Sequence, residues 1–178
     1  MKYKERGNNH LMSSVRIKID GKTRGFKMIS PDQKDKDMGK NYMIKMPKRA
    51  TVGSAGYDFF APYDFILEPN ESITIPTGIR AYMQEGEVLK IYPRSGLGFK
   101  YFARLANNVG IIDEDYFYSD NEGHIFIKIR NEGDRVLTIK QGEAVAQGIF
   151  QPFLIADDDD FTSGNIRNGG FGSTTKDN

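Results

Sequence analysis

Apolar and polar residues alternate along much of this chain with a period of two. Val15, Ile17 and Ile19 alternate with Arg16, Lys18 and Asp20, and Ile125, Ile127 and Ile129 alternate with Phe126, Lys128 and Arg130. A strand turns successive side chains to opposite faces, so this spacing predicts half-buried strands with one face on a core. Ser72 to Pro76, Glu87 to Tyr92, Arg135 to Ile139 and Ala144 to Phe150 are further β-rich runs, separated by Glu-Pro-Asn, Pro-Thr-Gly, Gln-Glu-Gly, Asn-Glu-Gly and Gln-Gly turns. The Gly, Pro and Asn residues there supply the backbone conformations that reverse a chain. No segment sustains a long amphipathic helix, and the best helix candidate is a short one near Leu97 to Leu105. Ser30 to Asn41, crowded with Lys and Asp around Lys34 to Asp37, reads as a loop between the first strand and the domain proper. Together these elements predict an all-β jelly-roll or barrel-like domain with one short helix.

A length of 178 residues suits one domain with a hydrophobic core. The expected organisation is a poorly ordered arm at 1–14, a β domain at 15–156, and an acidic linker with a mobile Gly-rich tail at 157–178. With no cysteine, neither disulfides nor a thiolate metal site are available, and two histidines, His10 and His124, cannot build a histidine zinc centre. Any metal must therefore be held by oxygen. No apolar run approaches the length of a membrane span, and Met1 to Arg6 is not followed by the apolar core of a secretory signal, so a cytoplasmic protein is expected.

The net charge of +1 hides a split, +9 over Met1 to Arg49 and −8 over the remainder. The basic charges are scattered singly without interleaved aromatic residues, which argues for a solvated extension and against direct nucleic-acid binding. The aspartates Asp157 to Asp160 lack the alternating spacing and the glycine of a calcium loop and read as a solvated linker.

Five short segments carry candidate chemistry. Ser54-Ala55-Gly56-Tyr57-Asp58 sets a carboxylate among small residues just before a strand, where it can hold a metal-bound water or simply cap a turn. Pro93-Arg94-Ser95-Gly96-Leu97-Gly98 follows a strand and opens the helix candidate. Its backbone amides, the Ser95 hydroxyl and the Arg94 guanidinium can converge on an anion. Asn107 to Tyr116 has an apolar strand core ending in Asp113, Glu114 and Asp115. Strand alternation puts Asp113 and Asp115 on one side and Glu114 on the other, so one of the pair can face a substrate and orient a water. In Gln141 to Gln147, a turn leads into a strand on which Gln147 can hydrogen-bond a water or a phosphate oxygen. At the end of the chain, Arg167-Asn168-Gly169-Gly170-Phe171-Gly172-Ser173-Thr174 combines a cation, permissive backbone, one ring and two hydroxyls, the ingredients of a nucleotide lid or, standing alone, of a frayed end.

In this order the five segments resemble the motifs of the homotrimeric dUTPase family. The resemblance runs from about Lys48 to Thr174, and its most specific parts are Arg94 to Leu97, Gly110 to Tyr116 and Gly169 to Thr174. It implies a jelly-roll or β-prism subunit that assembles as a homotrimer with shared active sites. The activity it implies is Mg2+-assisted hydrolysis of dUTP to dUMP and pyrophosphate, which keeps uracil out of DNA and supplies dUMP for thymidylate synthesis.

Carried over by position, Asp113 would activate the water that attacks the α-phosphorus. Tyr116 would lie under the deoxyribose and exclude a ribose 2′-hydroxyl, while Asn107 and the backbone around Gly110 would pair with the uracil edge. Arg94, Ser95 and Gly96 would grip phosphates, Gln147 would contact the α-phosphate or the attacking water, and Asp58 would hold Mg2+ through water. Arg167, Gly172, Ser173 and Thr174 would belong to the tail that closes on the nucleotide, with Phe171 over the uracil.

The chain departs from the family pattern in three places. Gly142-Glu143-Ala144 stands where members commonly have Gly-Asp-Arg, Phe117 to Glu122 lie between Tyr116 and Gly123 where many members have one residue, and the tail ends Ser173-Thr174-Thr175. The longer loop admits a regulatory protein partner. Two other functions fit the same scaffold: a dCTP deaminase, disfavoured by Tyr116 directly after Asp113-Glu114-Asp115, and a trimeric binding platform.

Overall fold

The computed structural model describes residues 18–39 and 42–159. Its strands are β1 (Gly25–Met28), β2 (Lys48–Arg49), β3 (Tyr57–Phe60), β4 (Phe65–Leu67), β5 (Ser72–Pro76), β6 (Ile79–Tyr82), β7 (Glu87–Pro93), β8 (Ala103–Leu105), β9 (Gly110–Asp113), β10 (Phe126–Asn131), β11 (Leu137–Ile139) and β12 (Ala144–Pro152). Two short helices, α1 (Pro31–Asp37) and α2 (Ser95–Tyr101), and a 3-10 helix (Glu114–Tyr118) complete the described elements.

The alternation seen in the sequence is the alternation of burial. Ile125, Ile127 and Ile129 are almost wholly buried while Lys128 and Arg130 are exposed. Side chains from β3, β5, β7, β10 and β12, among them Phe59, Ile75, Leu89, Ile129 and Val145, meet in one core. Four antiparallel sheets surround it, in the orders β1-β6, β5-β10-β8, β11-β4 and β2-β3-β12-β7-β9. Small sheets that share one core build an all-β jelly-roll-like domain, as expected. Four of the anticipated turns contain a left-handed residue: Asn70, Gly78, Gly86 and Gly142.

The structure corrects several boundaries. Ser30 to Asn41 is not simply a loop, because Pro31–Asp37 form α1. The Ser30 side chain accepts a hydrogen bond from the Gln33 amide and proline stands in the first turn, both ordinary helix-start signals. The helix near Leu97 to Leu105 instead spans Ser95–Tyr101, after which the chain re-enters a sheet as β8. The β-rich run at Arg135 narrows to Leu137–Ile139. Val15 and Ile17 lie outside the described residues, and Ile19 forms only an isolated bridge to Lys22. Asp157 to Asp159 are exposed, as a solvated linker should be. No helix among the described residues is long and apolar enough to cross a membrane.

Candidate active site

Two cavities take five of the sequence-predicted residues, Asn107, Gly110 and Tyr116 in the first and Arg94 and Gly96 in the second, while Asp58, Ser95, Asp113 and Gln147 line neither. The first, of about 340 Å³, is lined by Asn107, Gly110 and Tyr116 together with Ile91, Leu105, Ile112, Ile125, Phe126 and Ile127. Its walls are β7, β9 and β10, and antiparallel pairing of β7 with β9 sets Gly110 opposite Ile91. A Cβ at Gly110 would stand 3.1 Å from the Ile91 Cβ, so the glycine lets these two strands close on each other. Asn107, exposed at the rim, provides amide donors and an acceptor beside largely apolar walls. A flat heterocycle with a polar edge suits such a lining.

Tyr116 is only 4 % exposed and is fixed from several directions. Its hydroxyl donates to the His124 carbonyl at 2.8 Å and accepts from Asn121 Nδ2 at 2.9 Å. Its own carbonyl accepts from the Ser119 amide and, at 2.7 Å, from the Ser119 hydroxyl. Asp113 ends β9, half-buried, at the edge of this region. The alternation expected for Asp113, Glu114 and Asp115 does not continue past Asp113, because residues Glu114–Tyr118 wind into the 3-10 helix. Glu114 instead lies in a crevice with Tyr82, Met83 and Phe117. Burial pushes its carboxyl above the usual carboxylate range, with Glu85 and Asp115 adding to the effect.

The second cavity, of about 410 Å³, is lined by Arg94, Gly96, Leu97, Lys100, Tyr101, Leu137, Thr138, Ile139, Glu143 and Ala144. Ser95 and Gly96 open α2 and are exposed. Lys100 was not among the expected residues; the signal for it was helical spacing, one turn after Gly96. It sets a second cation beside Arg94 in the cavity where Ala144 replaces the arginine of the family pattern.

Asp58 and Gln147 sit behind Arg94. Gln147 is not an edge residue: β12 is the middle strand of its five-stranded sheet, and Gln147 pairs with Asp58 on β3 and with Tyr92 on β7. Its amide donates to the Pro93 carbonyl at 3.3 Å. A Cβ at Gly56 would lie 2.6 Å from the Gln147 Oε1, so a larger residue there would have to displace the Gln147 side-chain amide. Asp58 Oδ1 is 3.4 Å from Arg94 Nε, and the carboxylate side chain is 14 % exposed against 40 % for the arginine. Among the described residues no three acidic or histidine side chains converge as a metal cage. A single carboxylate suits only a cation that keeps most of its water, which is the habit of Mg2+.

The loop Phe117 to Glu122 is not a free rim. Phe117 and Ser119 are buried, although Tyr118 and Asp120 are exposed. Arg167, Phe171, Gly172, Ser173 and Thr174 lie outside the described residues.

The family model described as dUTPase matches residues 43–175 of this chain. The chain belongs to the dUTPase family. Deoxyuridine 5′-triphosphate nucleotidohydrolase of Lactococcus lactis subsp. lactis is 47% identical over 154 residues, which cover 86% of this chain and 98% of that protein. The crystal structure of dUTPase from Streptococcus mutans superposes with a TM-score of 0.62 at 40% identity, covering 75% of this chain and 98% of that one. A dUTPase from phage phi11 of S. aureus, in which a structural Mg(II) ion is coordinated, has a TM-score of 0.58 at 22% identity over 76% of this chain and 94% of that one. At that identity the likeness speaks for the shared dUTPase fold alone. α1 lies before the residues that the family model matches.

Proposed function

We propose that this chain hydrolyses dUTP to dUMP and pyrophosphate, with the first cavity taking the deoxyuridine and the second taking phosphates. The observation that carries this is the first cavity itself, in which Asn107, Gly110 and a buried, hydrogen-bonded Tyr116 line one apolar slot. Asn107 and the backbone near Gly110 pair with the uracil edge, and the Tyr116 ring leaves no room for a ribose 2′-hydroxyl. Exclusion by an immobile ring works through a clash rather than a lost contact, so it rejects UTP without weakening dUTP.

Asp113 takes a proton from the attacking water as its oxygen bonds to the α-phosphorus and the bond from that phosphorus to the bridging oxygen breaks, releasing pyrophosphate. Phosphoryl transfer needs positioning and charge stabilisation more than a protein nucleophile, which matches a site in which Asp113 is the one carboxylate assigned to the water, among several cations and amides. Arg94, Ser95, Gly96 and Lys100 hold the phosphates, and Gln147 orients the water or the α-phosphate. Asp58 would hold Mg2+ through water, and the chemistry such an ion would supply there is neutralisation of phosphate charge.

The two cavities share no lining residue, which supports a homotrimer in which one subunit's nucleoside slot faces a neighbour's phosphate segment. The C-terminal tail, with Arg167, Phe171, Gly172, Ser173 and Thr174, closes over the nucleotide.

The test is pyrophosphate release from dUTP, dTTP, dCTP and UTP with Mg2+, with and without a chelator. Metal-dependent release from dUTP alone is expected. Ammonia release from dCTP, or no turnover of any of the four by a folded trimer, would overturn the proposal.

A further inference from the structure

We propose that His124 is a positioning residue that fixes Tyr116 in the nucleoside slot, and that the N-terminal helix α1 holds His124 in place through Asp37. The inference rests on the nucleoside role proposed above for that slot.

The His124 side chain is fully buried and both ring nitrogens are engaged. Nε2 lies 2.8 Å from the Gly78 amide nitrogen, which can only donate, so Nε2 is the acceptor. Nδ1 therefore carries the proton and donates to Asp37 Oδ2 at 2.7 Å. One tautomer satisfies both contacts, and it locks the ring between β6's leading turn and α1. From this anchor two connections reach the slot. The His124 carbonyl accepts from the Tyr116 hydroxyl, and the imidazole packs on Phe126, a wall of the slot, with centroids 4.2 Å apart.

The same helix holds the loop a second time. Glu122 accepts from the Ser30 amide at 2.8 Å and from the Ser30 hydroxyl at 2.5 Å. Its other partner, Arg80, lies at 3.5 Å, stacks over the Phe117 ring and donates to the Phe117 carbonyl. Between these anchors the chain is drawn so tightly that a Cβ at Gly123, where φ is +72°, would come within 2.6 Å of the Tyr116 carbonyl oxygen. Residues 116–124 thus form a buckle. Its outer end is fastened to α1, and its inner end carries the ring that judges the sugar.

The test uses the full chain with Asp37→Ala, Asp37→Asn and Ser30→Ala, none of which touches the slot. Asp37→Ala is expected to raise the KM for dUTP and to lower the preference for dUTP over UTP by about tenfold with kcat changed far less, since a ring displaced by a fraction of an ångström excludes poorly. Asp37→Asn keeps an acceptor for Nδ1 and should restore the preference, and Ser30→Ala should move it in the same direction by less. Lowered thermal stability in Asp37→Ala with unchanged KM and unchanged preference would reduce the helix to a structural prop and overturn the proposal. If Asp37→Ala does not fold, Ser30→Ala decides the matter in the same assay. Failure of the unsubstituted chain to hydrolyse dUTP is a separate result, against the proposed function. The positioning role is then read from the ring signals of Tyr116 in carbon-13 tyrosine-labelled protein, assigned with Tyr116→Phe. They should shift in Asp37→Ala and not in Asp37→Asn, and an unshifted Tyr116 would sink the idea.

Discussion

Tyr116 and Arg94 differ in how much freedom the fold leaves them. Tyr116 is buried, bonded at its hydroxyl and at its carbonyl, and enclosed by a loop that is itself pinned. Arg94 is 40 % exposed, touches one carboxylate at 3.4 Å, and precedes a helix start that is open to solvent. The contrast fits what each is proposed to recognise. Rejecting a single hydroxyl requires a wall that does not move, because a soft wall would yield at little cost. Gripping a triphosphate requires charge that stays solvated until the ligand brings its own, because a buried, unpaired guanidinium would be costly.

Substitutions can break this contrast, and the largest effect belongs to the chemistry that both regions serve. Asp113→Asn should lower kcat by roughly 10²- to 10⁴-fold, the usual worth of a general base, while dUTP binding and thermal stability stay near their starting values. A kcat within a few-fold of the unsubstituted chain would remove Asp113 from its role. Tyr116→Ala should admit UTP, changing the dUTP to UTP ratio of kcat/KM by about 10- to 100-fold. It should also cost about 3–5 kcal/mol of stability, because a buried aromatic is lost. Arg94→Ala should do the opposite, raising KM for dUTP by roughly tenfold with a shift in melting temperature too small to matter. If Arg94→Ala unfolded the protein and Tyr116→Ala did not, the rigid and yielding regions would have been assigned the wrong way round.

Gly123→Ala sharpens the comparison from the backbone. A side chain in left-handed conformation that also meets the Tyr116 carbonyl should cost about 1–3 kcal/mol by chemical denaturation and weaken sugar discrimination in parallel. The smallest effect is expected from pH. Burial lowers the His124 pKa and outweighs the Asp37 carboxylate beside it and the more distant Glu122, which is itself paired with Arg80. The unfolded chain therefore binds a proton more readily than the native protein does. Stability from the neutral imidazole is complete above the ordinary histidine value near 6.5 and is lost as pH falls through the lower native value. Melting temperatures taken from pH 8 down to pH 5 should show this decline in the unsubstituted chain and a shallower one in His124→Gln, measured at matched ionic strength.

The strands were legible because β-rich runs stand between turn residues, and β5, β7, β10 and β12 fall within a residue or two of the expected bounds, although strict period-two burial is kept only in β10. The candidate phosphate segment could be picked out as well, since Arg94, Ser95 and Gly96 are neighbours in the chain. α1 was hidden by its brevity: seven residues with Gln33 as their buried member carry no apolar repeat, and the Ser30 cap and Pro31 were the available signals. The turn into a 3-10 helix after Asp113 was hidden because the apolar run before it is a strand. Lys100 was missed because its importance comes from the cavity it lines, not from its neighbours.

By itself the sequence determined the local vocabulary of this protein: which runs become strands, where left-handed turns fall, and which short segments match the dUTPase pattern. Those properties depend on residues a few positions apart, and backbone sterics together with one-sided burial set them locally. Tertiary structure alone decided that His124 would find its partner 87 positions away on α1, that Gln147 would lie between Asp58 and Tyr92, and that Tyr116 and Arg94 would line separate cavities. Hydrogen bonds and cavity walls join residues that become neighbours only when the chain closes on one core, so no local window of sequence contains them.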